Sequence, residues 1–312
     1  MSNFVVCLNA VLPIFIIMAL GYGVRCLGLI SREDVPRLNK MFFRVFMPVM
    51  LFYDIYESDL SSAIRPALIA YAAGSVLAVY FLCLLIVSRR EKDPTRKGVM
   101  IQGLYRSNFV IIGIPLAQSL MGPGSDIGPV VVLITIIVPM FNALAVITLE
   151  YFRGGKPDLW YLVKQILKNP LIIGTLVGLL FLALGIKLPQ GIEDAVSDVS
   201  DAASPILLFL LGAFFRFDGF RSNLRDVAFV SIGRLIVIPG IVLGIAVLLG
   251  FRGVEIAGLI AIFASATAVA SFTMAQQMGG DAPLAGDIVI ATSALCPLTL
   301  FLWSLLLTPV LY

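Results

Sequence analysis

Within the apolar stretch "SNFVIIGIPLAQSLMG", residues 107–122, stand Asn108, Gly113, Pro115 and Gln118. Their types and spacing could build an anion site inside a membrane. Pro115 has no N–H and its ring clashes with the preceding turn, so the carbonyl near Ile111 loses its helical partner. Gly113 loosens the backbone two residues earlier. Pro115 also suits the first turn of a new half-helix, whose unpaired N–H groups and positive dipole end would face the gap. Asn108 brings one acceptor and two donors to the same place. A second reading keeps the helix continuous, with a proline kink and Asn108 hydrogen-bonded to a neighbouring helix.

The surrounding chain sets the medium. Its 312 residues are 60% hydrophobic and 13% charged, with a mean hydropathy of +1.02, whereas soluble domains carry about 25% charged residues. A spanning helix needs ~20 apolar residues. Ten such segments can be drawn, at 4–28, 35–56, 63–88, 98–120, 127–152, 169–187, 194–216, 224–249, 254–278 and 283–310. Short joints such as "SREDVP", "SRREKDPTRKG", "FRGGKPD" and "GGDAP" separate them, and leave no room for a soluble catalytic domain. The first run, Phe4 to Leu29, is too long for a signal-peptide core and has no basic residue before it. Cys7, Cys26, Cys83 and Cys296 have no metal or redox spacing and read as small buried hydrophobes.

Basic residues alternate between joints. Arg25, Arg32, Arg37 and Lys40 lie in joint 1–2, and Arg89, Arg90, Lys92, Arg96 and Lys97 in joint 3–4. Joint 5–6 holds Arg153, Lys156, Lys164 and Lys168, and joint 7–8 holds Arg216, Arg221 and Arg225. The opposite joints hold Arg65, Lys187 and Arg252. By the positive-inside rule both termini lie outside the cytoplasm of a cell (inner) membrane protein. The prolines repeat: Pro13 and Pro170 are 157 apart, as are Pro48 and Pro205, and Pro139 and Pro297 are 158 apart. Five helices in each half place the halves in opposite orientation, the inverted-repeat plan of secondary transporters. The fold expected is an all-α membrane protein of ten transmembrane helices, in two five-helix repeats at 1–156 and 157–312.

Three arginines, Arg44, Arg106 and Arg234, fall inside segments, where a charge is costly and marks a candidate functional site. Arg44 and Asp201 are separated by the repeat offset and are expected to pair or share a polar network, unless each pairs elsewhere or Asp201 hydrates beside Asp198. Arg106 either faces an anionic substrate or snorkels to the cytoplasmic face, the reading preferred here. Asp287 is a candidate partner for Arg234. Gln276 and Gln277 are placed at the inner mouth or in caps, and Asp281 and Asp287 are the carboxylates available for proton coupling.

"RSNFVIIGIPLAQSLMG" (106–122) resembles the signature of the auxin efflux carrier family, which includes plant PIN auxin transporters and bacterial carriers of small organic acids. "LEYFRGGK" (149–156) and "ASATAVASFTMAQQMGGD" (264–281) resemble it too, and the resemblance covers the whole chain. It implies that helices 4 and 9 are broken and cross near mid-membrane. Substrate would bind there, and transport helices 3–5 and 8–10 would move against scaffold helices 1, 2, 6 and 7 in an elevator-like step. Carried over, Asn108 and the run Gly113-Ile114-Pro115 line the crossing, with Asn142 as a second asparagine contact. Helix 9 departs from the family: its break reads Thr267-Ala268-Val269-Ala270-Ser271, with no proline between Pro239 and Pro283. Thr267 and Ser271 are the hydroxyls available there to satisfy a freed backbone and, with the amides of Asn108 and Asn142, are expected to bind the substrate.

The function expected is a secondary carrier of a small organic anion, a mono- or dicarboxylate or an indole-type acid, with no cofactor or metal. Partners expected are that acid, the lipid bilayer and a second copy through the scaffold helices, with no nucleic acid. A channel or a non-transporting receptor on the same fold is the alternative. A membrane-embedded enzyme is disfavoured: there is no histidine, no metal-binding cluster and no evident Ser–Lys dyad. A nucleotide-driven pump lacks its Gly-rich phosphate loop.

Overall fold

The computed structural model describes residues 3–31, 33–57, 64–109, 116–118, 120–121, 127–153, 159–215 and 217–311. Among these residues there is no strand, only an isolated antiparallel bridge between Ser107 and Thr267. The helices are α1 (Asn3–Cys26), α2 (Asp34–Arg44), α3 (Phe46–Tyr56), α4 (Pro66–Arg90), α5 (Pro94–Tyr105), α6 (Gly128–Phe152), α7 (Leu159–Lys168) and α8 (Pro170–Leu184). There follow α9 (Gln190–Phe214), α10 (Phe217–Ile232), a π turn (Gly233–Val237), α11 (Ile238–Leu248), α12 (Val254–Phe263), α13 (Ala270–Gln277), α14 (Ala282–Leu306) and the short α15 (Thr308–Leu311).

Five helical stretches are long and apolar enough to cross a bilayer: Pro66–Arg90, Gly128–Phe152, Gln190–Phe214, Phe220–Leu248 and Ala282–Leu306. Shorter apolar helices span Leu12–Cys26, Pro170–Leu184 and Val254–Phe263. Helix starts follow local chemistry. Asp93 caps α5 by accepting from the Thr95 N–H and hydroxyl, bonds that hold its carboxyl below the usual carboxylate range. Asn169 caps α8 at the Leu171 N–H, and Asp281 caps α14 at the Leu284 N–H. Pro94, Pro170 and Pro283 occupy first turns, where no N–H is missed.

Among the described residues the drawn segments are interrupted at several places, including Leu307 in segment 283–310. Segment 35–56 is divided at Val45 into α2 and α3. Segment 98–120 leaves the helix over 106–108, and its described residues are helical again at Phe109, 116–118 and 120. Segment 254–278 leaves the helix after Phe263 and re-enters it at Ala270 without any proline. Segment 224–249 contains the π turn.

Buried side chains group into two cores. One draws mainly on α4, α5, the first part of α6, α10 to α12 and α14. The other draws on α1, α2, α3, α8 and α9, with α13 and parts of α6 and α14 against it. In the second core α1 packs on α9, and α3 packs on both α8 and α9. Glycines allow this approach. A Cβ at Gly21 would lie 2.0 Å from the Phe209 carbonyl oxygen, and one at Gly178 would lie 2.8 Å from that of Phe52. At Gly212 the clash would be with the Met18 carbonyl at 1.9 Å. Lipid offers little apolar driving force between helices, so such backbone proximity supplies the packing instead. Large apolar side chains such as Leu176, Leu180, Ile241 and Leu248 stay exposed, as expected of a lipid-facing surface.

Gly212→Leu is expected to cost roughly 2–3 kcal/mol by overpacking, read as a lowered thermal unfolding midpoint in nanodiscs. Gly23→Ala, where nothing lies within 4 Å of the added methyl, is expected to leave the midpoint unchanged or slightly raised.

Candidate functional site

The two mid-chain interruptions meet. Ser107 and Thr267 form the antiparallel bridge, and the Asn108 N–H donates to the Ala266 carbonyl at 2.8 Å. Two helix ends have therefore been traded for a short piece of ladder between extended segments. The Thr267 hydroxyl donates to the Gly103 carbonyl at 2.8 Å, near the end of α5, and its N–H donates to the Thr292 hydroxyl at 3.2 Å. Freed backbone groups are thus met by protein, as the absence of water in a bilayer demands.

Beside this bridge lies a cavity of about 270 Å³. One wall is the crossing: Arg106, Ser107, Asn108 and Phe109 from the first break, Ala268, Val269 and Ala270 from the second, and Asn142 with Phe141 from α6. The other wall is α3 and α9, with Asp54, Ser200, Asp201 and Ser204. Arg106 is 4% exposed and donates to the Asn142 side-chain oxygen. Asn108 is 8% exposed and its side-chain nitrogen has no partner, nor has the Ser107 hydroxyl. Unpaired buried donors beside a guanidinium, in a cavity, are the chemistry of an oxyanion receptor.

The sequence candidates separate into groups. Asn108 and Asn142 line the cavity. Thr267 sits behind it, spent on the Gly103 carbonyl. Ser271 is buried in the first turn of α13 with an unpartnered hydroxyl. Gly113, Ile114 and Pro115 lie outside the described residues. Arg106 does not snorkel: it lines the cavity from inside the protein. Arg44 and Asp201 are both exposed, and among the described residues no ion pair joins them. The expected pairing treated 35–56 as one continuous helix, whereas α2 ends at Arg44.

Arg234 does not pair with Asp287, contrary to expectation. Its Nε donates to the Ser265 carbonyl at 3.0 Å, Nη2 to Ile262 at 2.6 Å, and Nη1 to Leu104 and Tyr105 at 3.3 and 3.1 Å. These carbonyls stand at or just beyond the ends of α5 and α12, which leave acceptors unpaired, and they take up the guanidinium. Asp287 instead accepts from the Asn223 amide at 2.8 Å. Asp281 accepts from Arg96 at 2.8 Å, and Arg96 also reaches Asp226 at 2.9 Å. Gln276 accepts from Asn39 on α2, and Gln277 reaches only the Pro36 carbonyl at 3.5 Å.

Asp54 escaped the sequence reading. Its signal was present: an acid inside the apolar run "FMPVMLFYDIY", the same class of clue that singled out the arginines.

A family model described as membrane transport protein matches residues 6–157 and 159–304. The chain belongs to this membrane transport protein family, which is auxin-efflux-carrier-like. It is similar to an uncharacterised transporter of Methanothermobacter thermautotrophicus, 25% identical over 303 residues, covering 96% of this chain and 98% of that protein. It is also similar to an uncharacterised transporter of Methanocaldococcus jannaschii, 22% identical over 313 residues, with 96% and 98% covered. The protein is therefore a multi-pass membrane transport protein, and the cavity at the crossing is its candidate site.

Thr267→Val keeps the shape and strands the Gly103 carbonyl. It is expected to lower stability by about 1–3 kcal/mol, measured by thermal unfolding, because the hydroxyl holds the break together.

Proposed function

We propose that this transporter is a secondary carrier of a small organic anion, bound where broken helices 4 and 9 cross and moved by an elevator-like alternating-access step. The observation that carries this reading is the unpaired Asn108 amide beside the buried Arg106 guanidinium, in a cavity bounded by two helix breaks. Val269 and Ala270, at the N-terminal end of α13, line the same cavity, so the positive end of that half-helix adds to the attraction for an anion.

The ten-helix inverted repeat belongs to the same proposal. Gly21 packs on the Phe209 carbonyl and Gly178 on that of Phe52. Adding the proline offset of 157 to Gly21 and Phe52 yields Gly178 and Phe209. One contact is thus the other with the halves exchanged, which supports repeats at 1–156 and 157–312. The two cores support a division into a scaffold of helices 1, 2, 6 and 7 and a transport body of helices 3–5 and 8–10. Arg96, bonded to Asp226 and Asp281, and Arg234, bonded to both breaks, tie the transport body together. The cavity lies between scaffold residues Asp54 and Asp201 and transport residues Arg106 and Asn108, as an elevator step requires. The bias of basic joints supports termini on the non-cytoplasmic side of the cell membrane.

The cavity's charge narrows the anion. A carboxylate fits Arg106 and Asn108, but a second negative group would face Asp54 and Asp201. A small monocarboxylate whose far end donates a hydrogen bond, such as a hydroxy acid, suits both walls.

In proteoliposomes, saturable uptake is expected for small hydroxy-monocarboxylates, at least about tenfold better than for malonate at equal concentration, since a like-charge contact is worth ~1.4 kcal/mol or more. Asn108→Ala is expected to reduce this uptake by about tenfold or more while the protein stays monodisperse; undiminished uptake would remove Asn108 from the site. Flux proportional to concentration without saturation would indicate a channel.

A further inference from the structure

Arg234 is 0% exposed and is the largest fully buried side chain among the described residues. None of the ion pairs found among those residues involves it. Its guanidinium donates to four backbone carbonyls from two different chain breaks: Leu104 and Tyr105 at the end of α5, and Ile262 and Ser265 at the end of α12. Two half-helices therefore aim their negative ends at one point. Each end carries roughly half an elementary negative charge, so the two together match one cation. A planar group with five donors in a fixed fork meets four divergent carbonyls, whereas an ammonium has three donors on one centre.

The neighbourhood is shaped for this contact. Arg234 lies in the π turn Gly233–Val237, the widened turn that often marks a functional position. A Cβ at Gly233 would lie 2.5 Å from the Leu104 side chain, so glycine there allows the turn to approach α5.

Four converging carbonyl oxygens in a dry interior are also the donor set of a bound alkali cation. We propose that Arg234 is a resident counter-cation: it fills the place that a co-transported inorganic cation would hold at the crossing. It is a positioning residue, holding both breaks in register behind the substrate cavity, and it leaves the carrier with no sodium or potassium step at this point. The consequence for coupling rests on the carrier reading above; the cation-filling role rests only on the carbonyl geometry.

The test uses the full chain in nanodiscs without any substrate. For the wild type, thermal unfolding is expected to be the same in sodium, potassium or N-methylglucamine chloride at equal ionic strength. A midpoint raised selectively by sodium or potassium overturns the proposal. Arg234→Ala is expected to lower the midpoint by at least about 5 °C. Millimolar methylguanidinium should restore half or more of that loss while leaving the wild type unaffected. Arg234→Lys should fall between the two. A variant as stable as the wild type, or one folded but insensitive to methylguanidinium, overturns the proposal. If Arg234→Ala does not fold, methylguanidinium added during solubilisation should recover monodisperse protein, and failure to do so counts against the role. Absence of carboxylate uptake with methylguanidinium rescue intact would sink the carrier reading alone.

Discussion

Interrupting a helix inside a bilayer leaves backbone donors and acceptors with no water to receive them, and the centre of this protein is organised around that problem. Two interruptions, after Tyr105 and after Phe263, are brought side by side so that each supplies part of what the other lacks. The Ser107–Thr267 bridge and the Asn108 to Ala266 bond join backbone to backbone. Thr267 covers the Gly103 carbonyl, and Arg234 covers four more. Around the two breaks the Asn108 amide nitrogen and the Ser107, Ser265 and Ser271 hydroxyls remain unpartnered, and Ser107 and Asn108 belong to the cavity lining.

The two buried arginines divide the electrostatic work. Arg234 points toward the carboxyl ends of the first half-helices and donates to four of their carbonyls. Arg106 lines the cavity, held by the Asn142 oxygen and the Met274 sulfur. A buried guanidinium without acceptors would be costly; carbonyls meet one, and the Asn142 oxygen with the Met274 sulfur meets the other.

Packing around this centre separates into two bodies with different chemistry. Where α1 meets α9 and α3 meets α8, glycines let backbones touch, as at Gly21, Gly178 and Gly212. In the other body charged clips add to apolar packing: Arg96 binds Asp226 and Asp281, and Asn223 binds Asp287.

Much of this was legible from residue order. The apolar runs anticipate the helices, and Asn108, in a run weakened by glycine and proline, marks the cavity wall, while Asn142 entered through the family resemblance. The first two features are local, or carried by a pattern along one segment. The pairings were not legible. Arg234 bonds carbonyls rather than Asp287, Arg44 stays apart from Asp201, Arg106 turns inward, and Thr267 serves the backbone rather than a ligand. Composition and spacing determined that this chain crosses a membrane and where its fourth span is weak, and the family resemblance added the ninth. Only the tertiary structure decided which groups meet at those weak points, because a partner for a freed carbonyl is chosen by proximity across more than a hundred residues of sequence, as between Arg234 and Leu104.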